Sequence, residues 1–215
     1  MALTKIQGSG ISGGVNLKAI NSGYTGGLLI EDDSNTTKSA ITHVVGTMAI
    51  SANASDDHML IDSSGRVTTP SQPAFLARRN STSSALAINT THDMEFASEV
   101  FDIGSNFASN TTFTAPVTGK YQLNWCVYLQ SLDTATQYYQ FMVLTSNRTF
   151  YQIFTSSALG GDAAYQSFVW GALVDMDAND TAKVQLQIPN SGTAQSTIYG
   201  GGGDGATFFS GFLAC

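Results

Sequence analysis

The sequence predicts an all-β protein: a C-terminal ten-stranded jelly-roll sandwich over residues 72–215, behind a small glycine-rich β segment over residues 1–71. Three observations carry that expectation. Charged residues are only 12% of the 215 positions, against 42% hydrophobic, so charged helix formers are scarce and strand-compatible residues plentiful. From Tyr121 to Gln130, the residues Tyr121, Leu123, Trp125, Val127 and Leu129 alternate with Gln122, Asn124, Cys126, Tyr128 and Gln130. A period of two is a strand with one apolar face. Beyond Pro73, roughly ten short runs of this kind follow one another between polar turns, which suits two stacked sheets.

Residues 1–71 differ in texture from the rest, with Tyr24 as their only aromatic. Three apolar bursts, Leu28–Ile30, Ala40–Ile50 and Met59–Ile61, read as short strands. The first and last lead into turns of acids and serines, Glu31–Ser34 and Asp62–Gly65. Small β-rungs of this kind do not bury both faces unaided, so stacking on another domain or on further copies is expected. Pro70 and Pro73 favour an extended linker and set the boundary.

Strands are expected at 74–79, 84–88, 96–103, 111–115, 120–130, 137–145, 148–156, 164–174, 182–188, 195–199 and 206–214. Pro116 ends one of these runs, because proline has no N–H for a ladder. Thr118-Gly119-Lys120 then reads as a tight turn, with Gly119 at positive φ, making a hairpin of 111–115 and 120–130.

The same stretch carries a resemblance. Phe113-Thr114-Ala115-Pro116-Val117, Gly119 and Tyr121 are similar to the hallmark of the globular head of complement's first-component q subunit. That head shares a trimeric jelly roll with tumour necrosis factor. Pro73-Ala74-Phe75 and Ala77 resemble the family's opening. Asn179-Asp180-Thr181-Ala182 and Leu186 resemble its penultimate strand, and Thr207, Phe208, Ser210, Gly211, Phe212 and Leu213 its last. Asn179 stands where the family has glycine, and asparagine also tolerates left-handed turns.

The resemblance implies a non-enzymatic homotrimer. Aromatic clusters at Tyr138–Phe141, Phe150–Phe154, Tyr165–Trp170 and Phe208–Phe212 fall on both strand faces, so a second face needs covering as well. Tyr121, Tyr139, Tyr151, Phe168, Phe209 and Leu213 are the expected trimer-contact residues. No cofactor is expected. Some family members hold calcium through loop acids, and Asp162 and Asp204 are the acids in question here.

A second resemblance covers the N-terminal segment. Met59 to Pro70 is similar to segments that lead into receptor-binding or decoration domains of bacteriophage fibre proteins. Met1 to Ile11 is similar to the openings of small phage structural proteins. Together they imply a virion protein, attached to other virion proteins through residues 1–71.

Other classes are disfavoured. A net charge of −7 with nine dispersed basic residues argues against a nucleic-acid partner. The pair Arg78-Arg79 reads as a solvated or interface-pairing turn. No signal-peptide pattern and no apolar run of about 20 residues occur, so a soluble chain made in a cytoplasm, without membrane insertion, is expected. His43, His58 and His92 are dispersed, and His58 beside Asp56-Asp57 reads as a solvated turn before a metal site. Gly200–Gly205 lacks the Lys-Ser/Thr and helix start of a phosphate loop. Cys126 and Cys215 are free thiols by default, and a bond between them stays open if their strands face each other.

Three functions compete. The first is a trimeric fibre or spike whose head binds a glycan or protein of the host surface. The second is a capsid decoration or cement protein with the same trimer. The third is a tail-associated glycan hydrolase using Asp175 and Asp177 as paired carboxylates.

Overall fold

The structure is a computed structural model that describes residues 26–31, 38–44, 46–51, 58–189, 192–201 and 205–215. It divides into two units between Pro70 and Ser71.

The N-terminal unit contains an antiparallel meander of β1 (Gly26–Glu31), β2 (Lys38–Val44), β3 (Thr47–Ser51), β4 (Met59–Ile61) and β5 (Val67–Thr68), paired in chain order. The apolar burst from Ala40 to Ile50 is two strands, split at Gly46, whose φ is +81°. On β3, alternation buries Ala49 and leaves Met48 and Ile50 exposed, with the exposed Ile41 opposite Ile50. The turn after β4 closes on Asp62, whose carboxylate accepts the N–H groups of Ser64 and Arg66 and the Arg66 Nε–H at 2.6 Å. Asp32, Asp33, Ser34, Asp56 and Asp57, expected in turns, lie outside the described residues.

The C-terminal unit is a sandwich. Its strands are β6 (Ala74–Arg78), β7 (Thr91–Asp93), β8 (Ser98–Ile103), β9 (Phe107–Ala108), β10 (Thr112–Thr114), β11 (Gly119–Leu132), β12 (Tyr139–Thr145), β13 (Thr149–Phe154), β14 (Ala163–Met176), β15 (Thr181–Gln187), β16 (Thr197–Ile198) and β17 (Phe208–Leu213). One sheet runs β14-β11-β17-β6-β8 and the other β13-β12-β15-β10-β9. Nine of those ten strands fall in expected ranges and β9 does not; the expected run 195–199 is the short β16, which joins at β11, and the unexpected β7 joins at β15. Residues 84–88 are a correction: they form no strand. The N–H of Ser83 bonds Ile198 and that of Leu86 bonds Ser196, a spacing out of step for a ladder.

The core lies between the sheets. Phe75 stacks on Phe113 at 4.7 Å between ring centroids and on Phe107 at 5.2 Å, with Phe209 edge-on at 5.0 Å. Trp125 and Phe168 pack on Phe141 at 5.0 and 4.6 Å. Each fully buried ring of this kind contributes about 1.5–3 kcal/mol relative to exposure.

The stretch from Thr112 to Leu132 is not the expected hairpin. β10 belongs to the β12 sheet and β11 to the other, so Ala115 to Thr118 is a corner that carries the chain across the core. Pro116 ends the ladder of the first sheet, and the chain changes layers. Gly119 is the first residue of β11, and its φ is not positive. Glycine is needed there for space: a Cβ would stand 2.5 Å from Leu213 Cδ1 and 2.8 Å from the Cys215 carbonyl oxygen. The corner is tied by Tyr121, whose hydroxyl donates to the Val117 carbonyl at 2.8 Å. Asn179, at φ +75°, takes the left-handed turn between β14 and β15.

Cys126 and Cys215 belong to one sheet rather than to facing ones. Leu213 lies opposite Tyr121 and the Cys215 carbonyl accepts the Lys120 N–H. Six residues of β11 therefore separate the cysteines, roughly 20 Å at strand spacing. Both are free.

Candidate functional site

The inner faces of both sheets are consumed by the core, so chemistry or recognition must use the outer faces and the loops. The register of the β11 sheet defines its outer face in three cross-strand rows. One row is Ser98, Arg78, Phe208, Cys126 and Val169. The next is Phe101, Leu76, Ser210, Asn124 and Gly171. The third is Ile103, Ala74, Phe212, Gln122 and Leu173. Its far edge carries Tyr165, Val169 and Leu173 with 64%, 64% and 59% of their surfaces exposed. Val100, Phe101 and Phe212 are exposed as well.

Ser210 and Asn124 in the middle row lie low between Phe208 and Phe212 of the flanking rows and open a groove. Gly171 has no room for a side chain, since a Cβ would reach the Leu123 carbonyl and the Gln122 amide at 3.1 Å. The Gln122 amide donates to Asn124 Oδ1 at 3.0 Å. The resulting groove, about 790 Å³, is lined by Leu76, Arg78, Phe101, Asn124, Phe208 and Phe212 among others. Cys126 is buried on this face, and burial pushes its thiol pKa up, which disfavours a reactive thiolate.

The outer face of the β12 sheet is different. Lys183, Gln185 and Gln187 occupy it on β15, with Gln140 opposite Gln187. Lys183 Nζ donates to Asp93 Oδ2 at 2.9 Å and the Gln185 amide to Oδ1 at 2.6 Å. Burial raises the Asp93 pKa, but these two hydrogen bonds and the lysine charge outweigh it and leave it lowered.

Four of the six expected trimer-contact residues are corrected by this geometry. Tyr121, Tyr139 and Phe209 are 0% exposed and Phe168 is 6% exposed, all within the core cluster. They occupy the positions that alternation sends inward, so a neighbouring copy cannot reach them. Leu213 is half-buried and packs on the core. Tyr151 is 57% exposed, with Ile153 at 58%, on the edge strand β13 of the other sheet. The residues that do crowd an outer face are Val100, Phe101, Tyr165, Val169, Leu173 and Phe212. The sequence signal for them was the register: Leu173 lies opposite Gln122 and Tyr165 opposite Gln130, so they share the face of β11's polar positions.

The other candidates fall into place one by one. Asp175 holds Arg148 in an ion pair at 2.7 Å, and Asp180 accepts the Asp177 N–H at 2.8 Å. Neither Asp175 nor Asp177 lines the groove of the β11 sheet. Asp162 accepts hydrogen bonds from the Thr134 N–H, the Thr134 hydroxyl and the Gln195 amide, which together hold its pKa below the usual range. Asp204, and with it the middle of Gly200–Gly205, lies outside the described residues. Among the described residues no three histidines, cysteines or carboxylates converge as a metal site. His92 bonds the Ala87 carbonyl at 2.8 Å.

The pair Arg78-Arg79 is not a turn. Arg78 ends β6 on the groove side. Arg79 is buried, with Nε donating to the Ser81 carbonyl and Nη1 to the Glu95 carbonyl, and burial pulls its pKa down against the Glu95 charge.

Sequence reading missed Asp133. Its buried carboxylate accepts the N–H groups of Ala135 and Thr193 at 2.8 and 2.6 Å, joining the loop after β11 to the loop before β16.

No protein-family model matches the chain, and no curated protein matches it. Solved structures do. The Eiger tumour necrosis factor of S. frugiperda is similar at a TM-score of 0.50 and 13% identity, over 67% of this chain and 94% of that one. The globular domain of zebrafish complement 1qA aligns at 0.49 and 17%, over 67% of this chain and 98% of that one. Murine APRIL aligns at 0.47 and 15%, over 66% and 98%. At such identities the likeness concerns the fold alone: the C-terminal unit is a jelly-roll sandwich similar to that of the Eiger tumour necrosis factor.

Proposed function

We propose that the C-terminal unit is a non-enzymatic head that assembles as a homotrimer through the outer face of the β11 sheet. The observation that carries this reading is the exposed apolar set around the groove on that face; on the β12 sheet the exposed apolar groups are Tyr151 and Ile153 of the edge strand β13, beside a polar β15. A soluble sheet face is ordinarily polar, and each large apolar group covered by a neighbouring copy contributes about 1.5–3 kcal/mol. Three copies is the number that the jelly-roll resemblance implies.

The reading extends to a bacteriophage virion, with residues 1–71 as the attachment segment and the head as a fibre or spike that engages a glycan or protein of the host surface. That part rests on the short N-terminal resemblances. Sedimentation of the purified chain tests the assembly, and a well-folded monomer at micromolar concentration overturns it. Electron microscopy of tagged particles tests the location. Label on tails supports a fibre, label on capsids supports a decoration protein, and unlabelled particles overturn both.

A further inference from the structure

The edges of the two sheets are closed to different degrees. β9 is two residues long, and β8 carries Glu99 and Asp102 and a register shift against β6. Short length, charge and irregular pairing each discourage a further strand. β13 has none of these protections. Its six residues, Thr149–Phe154, include no charge, proline or glycine, and they pair in unbroken register with β12 at the end of the sheet. The Thr145 N–H bonds the Arg148 carbonyl across the turn before it. Alternation from that pair turns the backbone groups of Phe150, Gln152 and Phe154 toward β12, and those of Thr149, Tyr151 and Ile153 toward the free edge. Among the described residues, which run unbroken from 58 to 189, no hydrogen bond takes these groups up. The side chains of Tyr151 and Ile153 are 57% and 58% exposed, so the edge is open to solvent.

We propose that β13 takes up an extended segment of a partner protein as an added strand of the β12 sheet. The inference rests on the reading of this unit as a binding head, and it names the site and the form of the ligand. A row of outward N–H and C=O groups at strand spacing is matched by another polypeptide strand, and not by a glycan or a lipid. Opposite Tyr151 and Ile153 the added strand carries β-branched or aromatic residues, the cross-strand pairs that stabilise a sheet. Charge sets its ends. The chain has a net charge of −7, and Arg148, the cation that precedes β13, is already paired with Asp175 at 2.7 Å. A segment flanked by basic residues is therefore favoured over an acidic one. β14, the edge of the other sheet, belongs to the face assigned to assembly.

Fluorescence anisotropy of the purified full chain with a fluorescein-labelled peptide of alternating valine and threonine, ended by lysines, tests it. Saturable binding is expected. N-methylation along the peptide backbone, which removes its donors, is expected to weaken that binding at least roughly 10-fold. Ile153→Pro is expected to do the same, because it deletes an outward N–H and leaves the ladder to β12 intact, while its own assembly stays that of the wild type. Absence of saturable binding, equal binding of the methylated peptide, or a folded proline variant that binds as tightly as the wild type overturns the inference. Should the proline variant not fold, the methylated peptide on the wild type decides. If the wild type forms assemblies larger than a trimer that Ile153→Pro reduces to trimers, the edge is taken by a second copy and the partner segment is overturned. A wild-type monomer that binds the peptide overturns the assembly reading and leaves the edge site standing, whereas a trimer that does not bind it does the reverse.

Discussion

On β15 the outward positions are Lys183, Gln185 and Gln187; on β14 they include Tyr165, Val169 and Leu173. Both strands send apolar residues inward at every second position, Ala182, Val184 and Leu186 on one and Phe168, Val174 and Met176 on the other. The two sheets thus contribute alike to the core and differ in what they show outside it. One outer face is polar along β15, with Asp93 bridging Lys183 and Gln185, and exposes Tyr151 and Ile153 only on its edge strand. The other exposes Phe101, Tyr165, Val169, Leu173 and Phe212 around a groove. Folding of one chain accounts for the first face, and the proposed association of copies would account for the second.

Breaking the shared interior has the largest expected effect. Trp125→Ala removes the ring that stacks on Phe141 and is expected to destabilise the head by about 3–5 kcal/mol, read as a lower denaturant midpoint. Substituting the apolar outer face separates assembly from folding. Leu173→Glu is expected to raise the dissociation constant about 100-fold, roughly 2.7 kcal/mol, with the folded signal retained. Ile153→Glu, at the edge of the other sheet, should leave assembly unchanged, and equal effects of the two would erase the distinction between the faces.

Gly119→Val sharpens the account of the corner. The clash with Leu213 and the Cys215 carbonyl is expected to destabilise by about 1–3 kcal/mol. Gly119→Ala is expected to suffer as well, because the obstacle is met by Cβ itself. An alanine variant of wild-type stability would show that the corner gives way.

The smallest expected effect lies on the polar face. The Asp93 pKa is lower folded than unfolded, so its contribution is present above the unfolded value of about 3.9. It is lost as pH falls through the folded value. The carboxylate is partly exposed, so Asp93→Asn is expected to reduce stability by no more than about 1 kcal/mol at neutral pH. The difference from wild type should vanish in acid. A constant difference from pH 7 to pH 2 would assign the effect to packing.

Strands were legible wherever one face met the core and the other met polar surroundings. Tyr121 to Gln130 is such a stretch, and the observed β11 extends it only to Gly119 and Leu132. Residues 84–88 were not legible as a loop, because Leu86 and Ile88 repeat the alternation of a strand while their backbone groups bond out of register. The contact residues were misread for a related reason. On β14 both alternating sets are apolar, and local sequence does not say which set meets the core. Asp133 was hidden because its partners, Ala135 and Thr193, come together only when two distant loops meet.

By itself, the sequence determined the β class, the alternation along each strand and the turn at Asn179, because these depend on side chains a few residues apart and on local backbone preferences. Only the tertiary structure decided that β10 and β11 lie in different sheets, that Gly119 is required for space rather than for φ, and that Arg78 ends in a groove while Arg79 is buried. Each of those depends on pairing between strands far apart in the chain. The register of such pairing decides which face a side chain occupies, and a shift of one residue would reverse it.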